Sequence, residues 1–409
     1  MRMSLQIKPL DPIMARDGRP FGMTPGARAH SMNTVSSSTV SGTIRTLLAK
    51  QLSDPELQRQ LYHFDGLTVR GPIHFWGDMP YFPYPEDMDW NEDGKQITIH
   101  AIRPVKPSDN EGFWGIGPDS RFDGDKLWPP EEIRSRKKSN KRPAFISGSL
   151  LTKWLCNESL PAEAIKAAPS WESIHQSWSR SDADKEVEVP PFLAPFEHDL
   201  RTHVAIDAEK GRAKDQALFS TDSLVIPSQI SLHSVILSDT VPADTRVHAI
   251  HPLGGKNRLA HFSSVPESPW WQCPTEIHNS LHGQKYIKLM LATPAYFAKG
   301  WLPGWLDEQL ESKDTFHQNV KLRLRWACLP NWIPISGYSF NKHEKPVRRM
   351  VPAGSVYFFE VIDGDPAELA NHKWLTSVSD DNRRHEASDR EDGFGLALWG
   401  NWQPASQSI

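Results

Sequence analysis

The stretch PLDPIMARDGRPFG, Pro9 to Gly22, stands directly behind the first strand-like segment and narrows what can follow. The preceding MSLQIK alternates Met3, Leu5 and Ile7 against Ser4, Gln6 and Lys8, the period-two pattern of a half-buried strand. Pro9 ends that strand because it brings no ladder donor. Three prolines, two glycines and two arginines then fill fourteen residues. Asp11-Pro12 and Asp17-Gly18 are turn dipeptides, so the chain doubles back between rigid points. In SSSTVSGTIRTLLAKQL, Val40, Ile44, Leu47 and Leu48 recur at i, i+4, i+7 and i+8, an amphipathic helix with Ser36 to Ser38 available as N-cap. LTVRGPIHFWGDMPYFPYP reads as strand, Gly-Asp turn, strand. That order begins a β-α-β-β-α-β unit, for which SGSLLTKWLCNE (147–158) supplies a second helix.

Residues 86–143 break the pattern with Pro, Asp and Trp, and they close on RSRKKSNKR (134–142), six basic residues in nine. They read as a long insertion. SRSDADKEVEVPP (179–191) is the best linker, which divides the chain into an N-terminal domain, 1–190, and a C-terminal one, 191–409. Beyond it the chain is strand-rich: RTHVAID, DQALFSTDSLVI, SQISLHSVIL, KYIKLMLAT, VKLRLRW and VRRMVPAGSVYFFEVI, the last turning at Pro352–Gly354. SVSDDNRRHEASDRED (377–392) reads as a flexible loop leading into GFGLALWGNW.

Composition excludes some function classes. A net charge of -4 over 409 residues gives no global basic field, so any nucleic-acid contact must come from local patches. Cys156, Cys273 and Cys328 form no CxxC pair, which fits a reducing compartment without a disulfide framework or cysteine zinc site. No apolar run approaches the length of a membrane span, and the N-terminus lacks the apolar core of a secretory signal, so a soluble, cytoplasmic protein is expected. The 16 tryptophans fit cores, interfaces or stacking on bases equally well.

Several motifs have both a chemical and a bland reading. Arg16 and Arg19 either present two guanidiniums on a stiff loop to phosphate or carboxylate, or pair with Asp17. The free N–H groups of the helix starting near Ser36 also favour anions. In VKLRLRW, Val320, Leu322, Leu324 and Trp326 face one way and Lys321, Arg323 and Arg325 the other, a cation ladder or the solvated face of an edge strand. RSRKKSNKR is a nucleic-acid patch or a soluble loop. DGFGLALWG sets Gly393, Gly395 and Gly400 where backbone approaches a ligand closely, but no helix follows in dinucleotide-binding fashion, and GFWGIG (112–117) and the GGK at 254–256 fail equivalent tests. His198, Asp199 and His203 in EHDLRTH lack a second carboxylate–histidine set for a metal, and neither G-x-S-x-G nor H-E-x-x-H occurs. His30 is a candidate general base for RNA cleavage, with nothing nearby to single it out.

Taken in order, PLDPIMARDGRPFG, SSSTVSGTIRTLLA, RTHVAID, ALFSTDSL, LGGKNRLA, LATPAYFAKGWLP, RRMVPAGSVYFFE and GFGLALWG resemble the Cas5-like RAMP subunit of the type III-B (Cmr) CRISPR effector complex. The resemblance runs from residue 5 to residue 400. It implies an α+β fold of two ferredoxin-like, RRM-related RAMP domains with long insertions, the second ending in the glycine-rich loop. It implies a subunit with no catalytic residues and no cofactor that binds the 5′ handle of the CRISPR RNA. Its partners would be the large polymerase-like signalling subunit and the backbone RAMP subunit, with no membrane. The residues that would touch RNA are Arg16, Arg19, Arg28, His30, Arg45, Lys256, Arg258, Lys321, Arg323, Arg325, Arg348, Arg349, Gly393 and Gly395. Arg45 lies well off the centre of its helix's apolar stripe at about 3.6 residues per turn, as a contact would require.

The sequence departs from the family where Gly400 is followed by Asn401 and Trp402 rather than a second glycine step. Two other function classes stand beside the RNA clamp. One is a metal-independent RAMP endoribonuclease using His30, and the other a protein-only adaptor whose tryptophans serve interfaces.

Overall fold

The opening strand forms as its alternation predicts. Strand β1 (Arg2–Pro9) turns Met3, Leu5 and Ile7 toward helix α1 (Ser37–Gln51), whose Val40, Ile44, Leu47 and Leu48 share their core. Ser36 takes the N-cap position, though its hydroxyl bonds that of Ser38 rather than capping the helix. The computed structural model describes residues 1–19, 27–52, 54–62, 66–93, 96–107, 127–131, 142–161, 165, 189–207, 209–339, 343–344, 346–380 and 390–405.

Between these come β2 (Ala27–Ala29) and, after α1, α2 (Pro55–Tyr62). Next are β3 (Leu67–Trp76), β4 (Met79–Pro83), β5 (Met88–Asp93), β6 (Gln96–Ala101), β7 (Phe145–Ser147) and α3 (Gly148–Leu155). The middle of the chain holds β8 (Phe192–Leu193), β9 (Glu197–Asp207), β10 (Arg212–Val225), β11 (Ile230–Ser238), β12 (His248–Pro252) and β13 (Leu259–Val265). Then follow α4 (Thr275–Leu281), β14 (Tyr286–Leu291), β15 (Lys321–Cys328), β16 (Ile333–Ile335), β17 (Tyr338–Ser339) and β18 (His343–Glu344). The last are β19 (Arg348–Met350), β20 (Val356–Asp363), α5 (Ala367–Lys373) and β21 (Ala397–Asn401).

The chain is a mixed α+β fold, rich in strands and poor in helix. One eight-stranded sheet runs β12-β13-β1-β11-β3-β4-β7-β8, and a four-stranded sheet runs β15-β20-β14-β21. Every pairing in both is antiparallel. A third, three-stranded sheet pairs β9 and β10 as a long hairpin, with β2 added in parallel on β10.

The linker expected near residue 190 does not coincide with a sheet boundary. Strands β11 and β13, both beyond it, flank β1 on its two sides. Strand β11 is buried along nearly its whole length, on both faces, as a strand at the centre of a covered sheet is. The helix expected at 147–158 forms as α3, but Leu150, Leu151, Trp154 and Leu155 pack into the core under the second sheet. That core also takes Ile73, Phe75 and Val235 from the first sheet, so the two sheets share one apolar seam. Among the described residues, most tryptophans are core residues, including Trp154, Trp271, Trp305, Trp399 and Trp402.

Of the 86–143 insertion, β5 and β6 form a hairpin, and Trp128 is buried beside Arg325, whose guanidinium carbon lies 4.8 Å from its ring centre. Most of RSRKKSNKR (134–141), all of GFWGIG and most of the expected linker lie outside the described residues. Among the described residues, no helix is long and apolar enough to cross a membrane.

Candidate nucleic-acid interface

The stiff opening loop is tied by backbone hydrogen bonds to four remote segments. Ile13 exchanges two with Leu224 of β10, at 2.9 and 2.7 Å. The Met14 carbonyl accepts from the Gly255 N–H at 2.7 Å. Asp17 donates to the His30 carbonyl and Met32 to that of Ala15, both at 2.9 Å. Gly18 donates to the Pro334 carbonyl at 2.9 Å, and Pro334 is the register partner of Arg349 in the β16–β19 ribbon. A Cβ on residue 18 would lie 2.8 Å from Val347 Cγ1 and 3.1 Å from the Pro334 carbonyl carbon, so the loop closes on the ribbon because this position is glycine.

Three of the four segments held by the loop carry expected RNA-binding residues. The turn after Gly255 brings Lys256 and Arg258, β2 brings Arg28 with His30 just beyond, and the ribbon brings Arg348 and Arg349. The cations are set differently. The exposed Arg19 donates from Nε to Asp17 at 2.6 Å, so it is both presented and oriented. Arg16 is half-buried, bridged by backbone to Ser31. Arg28 meets buried Asp222 at 3.0 Å, and the same carboxylate takes His198 Nδ1 at 2.8 Å. Lys256 lies over the Phe219 ring at 5.8 Å, beside His203, which stacks on Phe219 with ring centres 5.1 Å apart. Burial and the cations Lys256, Arg201 and Arg258 hold the His203 imidazole below its ordinary pKa, and Thr221 bonds its Nε2 at 2.8 Å.

Arg348 lies over Phe394 at 5.4 Å, and burial lowers its pKa, offset in part by Asp392. Arg349 lies 4.9 Å from the ring centre of Trp332, which is 54% exposed. Sequence reasoning missed Trp332, because nothing in the sequence separates it from the tryptophans that fill cores. A wide, exposed indole under a guanidinium is a surface on which a base can stack. The rim therefore offers cations on a rigid loop together with an aromatic face, the two needs of a single-stranded nucleic acid.

Three expectations are corrected. Arg45 is 2% exposed: its guanidinium binds Asp392, the Ser41 hydroxyl at 3.1 Å and the Leu67 carbonyl at 3.1 Å, so it faces the protein interior. The cation ladder is neutralised by carboxylates. Lys321 and Arg323 share Glu311, while Arg325 is 8% exposed and shares Glu360 with Lys285. Strand β15 ends its sheet, yet residues 310–312 cover it, with Ser312 donating to Leu322 and Leu324 to Leu310. Gly393 and Gly395 approach protein rather than an open surface. At Gly393 (φ +85°) a Cβ would lie 2.6 Å from the Gly71 carbonyl, and Gly395 N–H donates to Pro294 at 2.7 Å. The glycine-rich loop thus seals β3 against the second sheet.

The covered ladder carries two expected outcomes. Lys321→Ala with Arg323→Ala should leave RNA affinity unchanged in a filter-binding titration. Hydrogen bonds from Lys321, then from Arg323, hold Glu311 below its ordinary value of 4.5. At Glu360 burial acts upward, but Arg325 and Lys285 outweigh it. Carboxylates lowered in this way stabilise the fold above the ordinary value, and that stabilisation is lost as pH falls through their lowered values. Melting temperature should therefore drop on acidification below about pH 4.5, and drop less in Glu311→Gln.

The EHDLRTH residues do not converge on a metal. His198 and His203 lie five residues apart on an extended strand, so they point to opposite faces. Among the described residues, no group of three or more His, Cys, Asp or Glu side chains is placed to hold a metal ion.

Residues 5–402 match the family model described as CRISPR-associated protein (Cas_Cmr3). No curated protein sequence matches the chain. Among solved structures, the chain is similar to a subunit of the type III-B Cmr-beta complex bound to cognate target RNA, at 14% identity and a TM-score of 0.44, covering 87% of this chain and 86% of that one. It is also similar to a chain of the Csm3-Csm4 subcomplex of the type III-A CRISPR-Cas interference complex, at 13% identity and a TM-score of 0.43, covering 99% and 100%.

Proposed function

The chain belongs to the CRISPR-associated Cas_Cmr3 family, and from that premise we propose that it is the non-catalytic clamp for the 5′ handle of the CRISPR RNA within a type III effector complex. In this reading it docks the large signalling subunit onto the RAMP backbone. The observation that carries it is the opening loop, whose hydrogen bonds gather Arg16, Arg19, Arg28, Lys256, Arg258, Arg348 and Arg349 around one rigid element. Cations fixed before binding lose little entropy on meeting phosphate, and the exposed Trp332 adds a base-stacking face.

The same reading takes the two sheets as the two RAMP ferredoxin-like units. The orders β13-β1-β11-β3 and β21-β14-β20-β15 are each the 4-1-3-2 order of a β-α-β-β-α-β unit. In the first, a long insertion separates the second and third strands, and β12 stands where the second helix would be. In the second, a coil stands where the first helix would be.

The test is co-expression with the other subunits, pull-down on this chain, and sequencing with photo-crosslinking of the retained RNA. Crosslinks from residues 13–19 or 332–349 to the handle are expected, whereas retained RNA that crosslinks only to other subunits would overturn the clamp. Trp332→Ala should weaken handle binding by about 1–3 kcal/mol with no change in melting temperature.

A further inference from the structure

The first sheet has a second surface that the RNA reading leaves unused. Opposite the α1 side, Lys8 of β1, His261 of β13 and Ile250 of β12 stand in one row across three strands, and Gln6, Ser263 and His248 in the next. Toward β11 and β3 the same face is roofed by the second core through Val235, Ile73 and Phe75. Toward β12 the roof ends, leaving Leu10 57%, Leu259 39% and Ile250 61% exposed. Leu10 N–H donates to the Leu259 carbonyl at 2.9 Å, and the register partner of Leu259 is Pro252, two residues from Ile250, so the three residues lie at one corner of the sheet at the root of the opening loop. The rings of His248 and His261 meet edge-on, 4.7 Å apart, at its border.

We propose that this face docks a protein partner that presents aliphatic side chains flanked by carboxylates. Three exposed aliphatics in one patch exceed what scattered surface leucines require and mark an interaction site. They offer no π-face to a base, so RNA is the poorer match. The charge at the border points to acidic groups opposite. Lys8 is exposed and, among the described residues, without a carboxylate partner, while Glu267 is held by Arg2 and the Asp11 carboxylate accepts the Leu259 N–H at 2.8 Å. An aliphatic surface with a cationic border is complementary to an apolar surface bordered by Asp or Glu.

The inference rests on membership in a multi-subunit complex and not on the handle reading, so protein and RNA retention are read separately. The complex is assembled by co-expression with a tag on this chain carrying Ile250→Asp or Lys8→Glu. The expected result is loss of one protein subunit from the pull-down, with CRISPR RNA retained and the melting temperature of the isolated chain unchanged. Lys8→Glu reverses the charge at an exposed position, so it remains decisive if Ile250→Asp lowers the melting temperature. Retention of every subunit in both variants would overturn the proposal. Loss of RNA with all proteins retained would make the face an RNA surface, and an isolated wild-type dimer that either variant dissociates would make the occupant a second copy. Both of those results also overturn it.

Discussion

Arg45→Ala is expected to destabilise the protein by about 3–5 kcal/mol, the usual cost of stripping one partner from a buried ion pair. The side chain is 2% exposed, and its removal leaves the Asp392 carboxylate, also buried, without its guanidinium. The Leu67 carbonyl loses a donor as well. Asp392→Ala should be comparably damaging, because Asp392 also offsets the burial of the Arg348 guanidinium. Replacing both members by apolar residues of similar size, Arg45→Met with Asp392→Leu, should recover much of the loss, since neither charge then needs solvation. Thermal or urea unfolding of the wild type and the three variants reads these differences. If Arg45→Ala melts like the wild type and binds RNA less well, the buried assignment is wrong and the sequence expectation for this residue returns.

The second large effect concerns the rim. Arg16→Ala, Arg19→Ala and Arg349→Ala combined should weaken handle binding by about a hundredfold to a thousandfold, since each charge-assisted contact is worth roughly 1.5 kcal/mol. Arg19 contributes least, because Asp17 already neutralises part of its charge. Each phosphate contact removed should also flatten the salt dependence by about 0.7 in the logarithmic slope for a single strand. Arg19 and Arg349 are exposed and Arg16 is half-buried, so melting temperature should move far less than in Arg45→Ala. Unchanged affinity together with an unchanged slope would remove the opening loop from RNA binding.

Local structure was legible where a pattern had one physical solution. The alternation of Met3, Leu5 and Ile7, the spacing of Val40, Ile44, Leu47 and Leu48, and the Gly77-Asp78 turn fixed β1, α1 and the β3–β4 hairpin. The partners of those elements were not legible. SQISLHSVIL read correctly as a strand, yet whether it extends a second sheet or flanks β1 depends on pairings more than 200 residues apart in sequence. A strand's side chains declare two faces and say nothing about which edge it meets.

The cations show the same limit. By itself the sequence determined the family, the α+β class, the stiff loop behind β1 and the positions of the charged residues. Tertiary structure alone decided which charges are available. A carboxylate folded onto them, Asp392 from 347 residues away onto Arg45 or Glu311 from the neighbouring turn onto Lys321 and Arg323, cancels a cation that looks free along the chain. It also picked Trp332 as exposed and placed it under Arg349. Charge and stacking act over a few ångströms of space, and those ångströms are set by how the folded chain turns and packs, which the order of residues does not state.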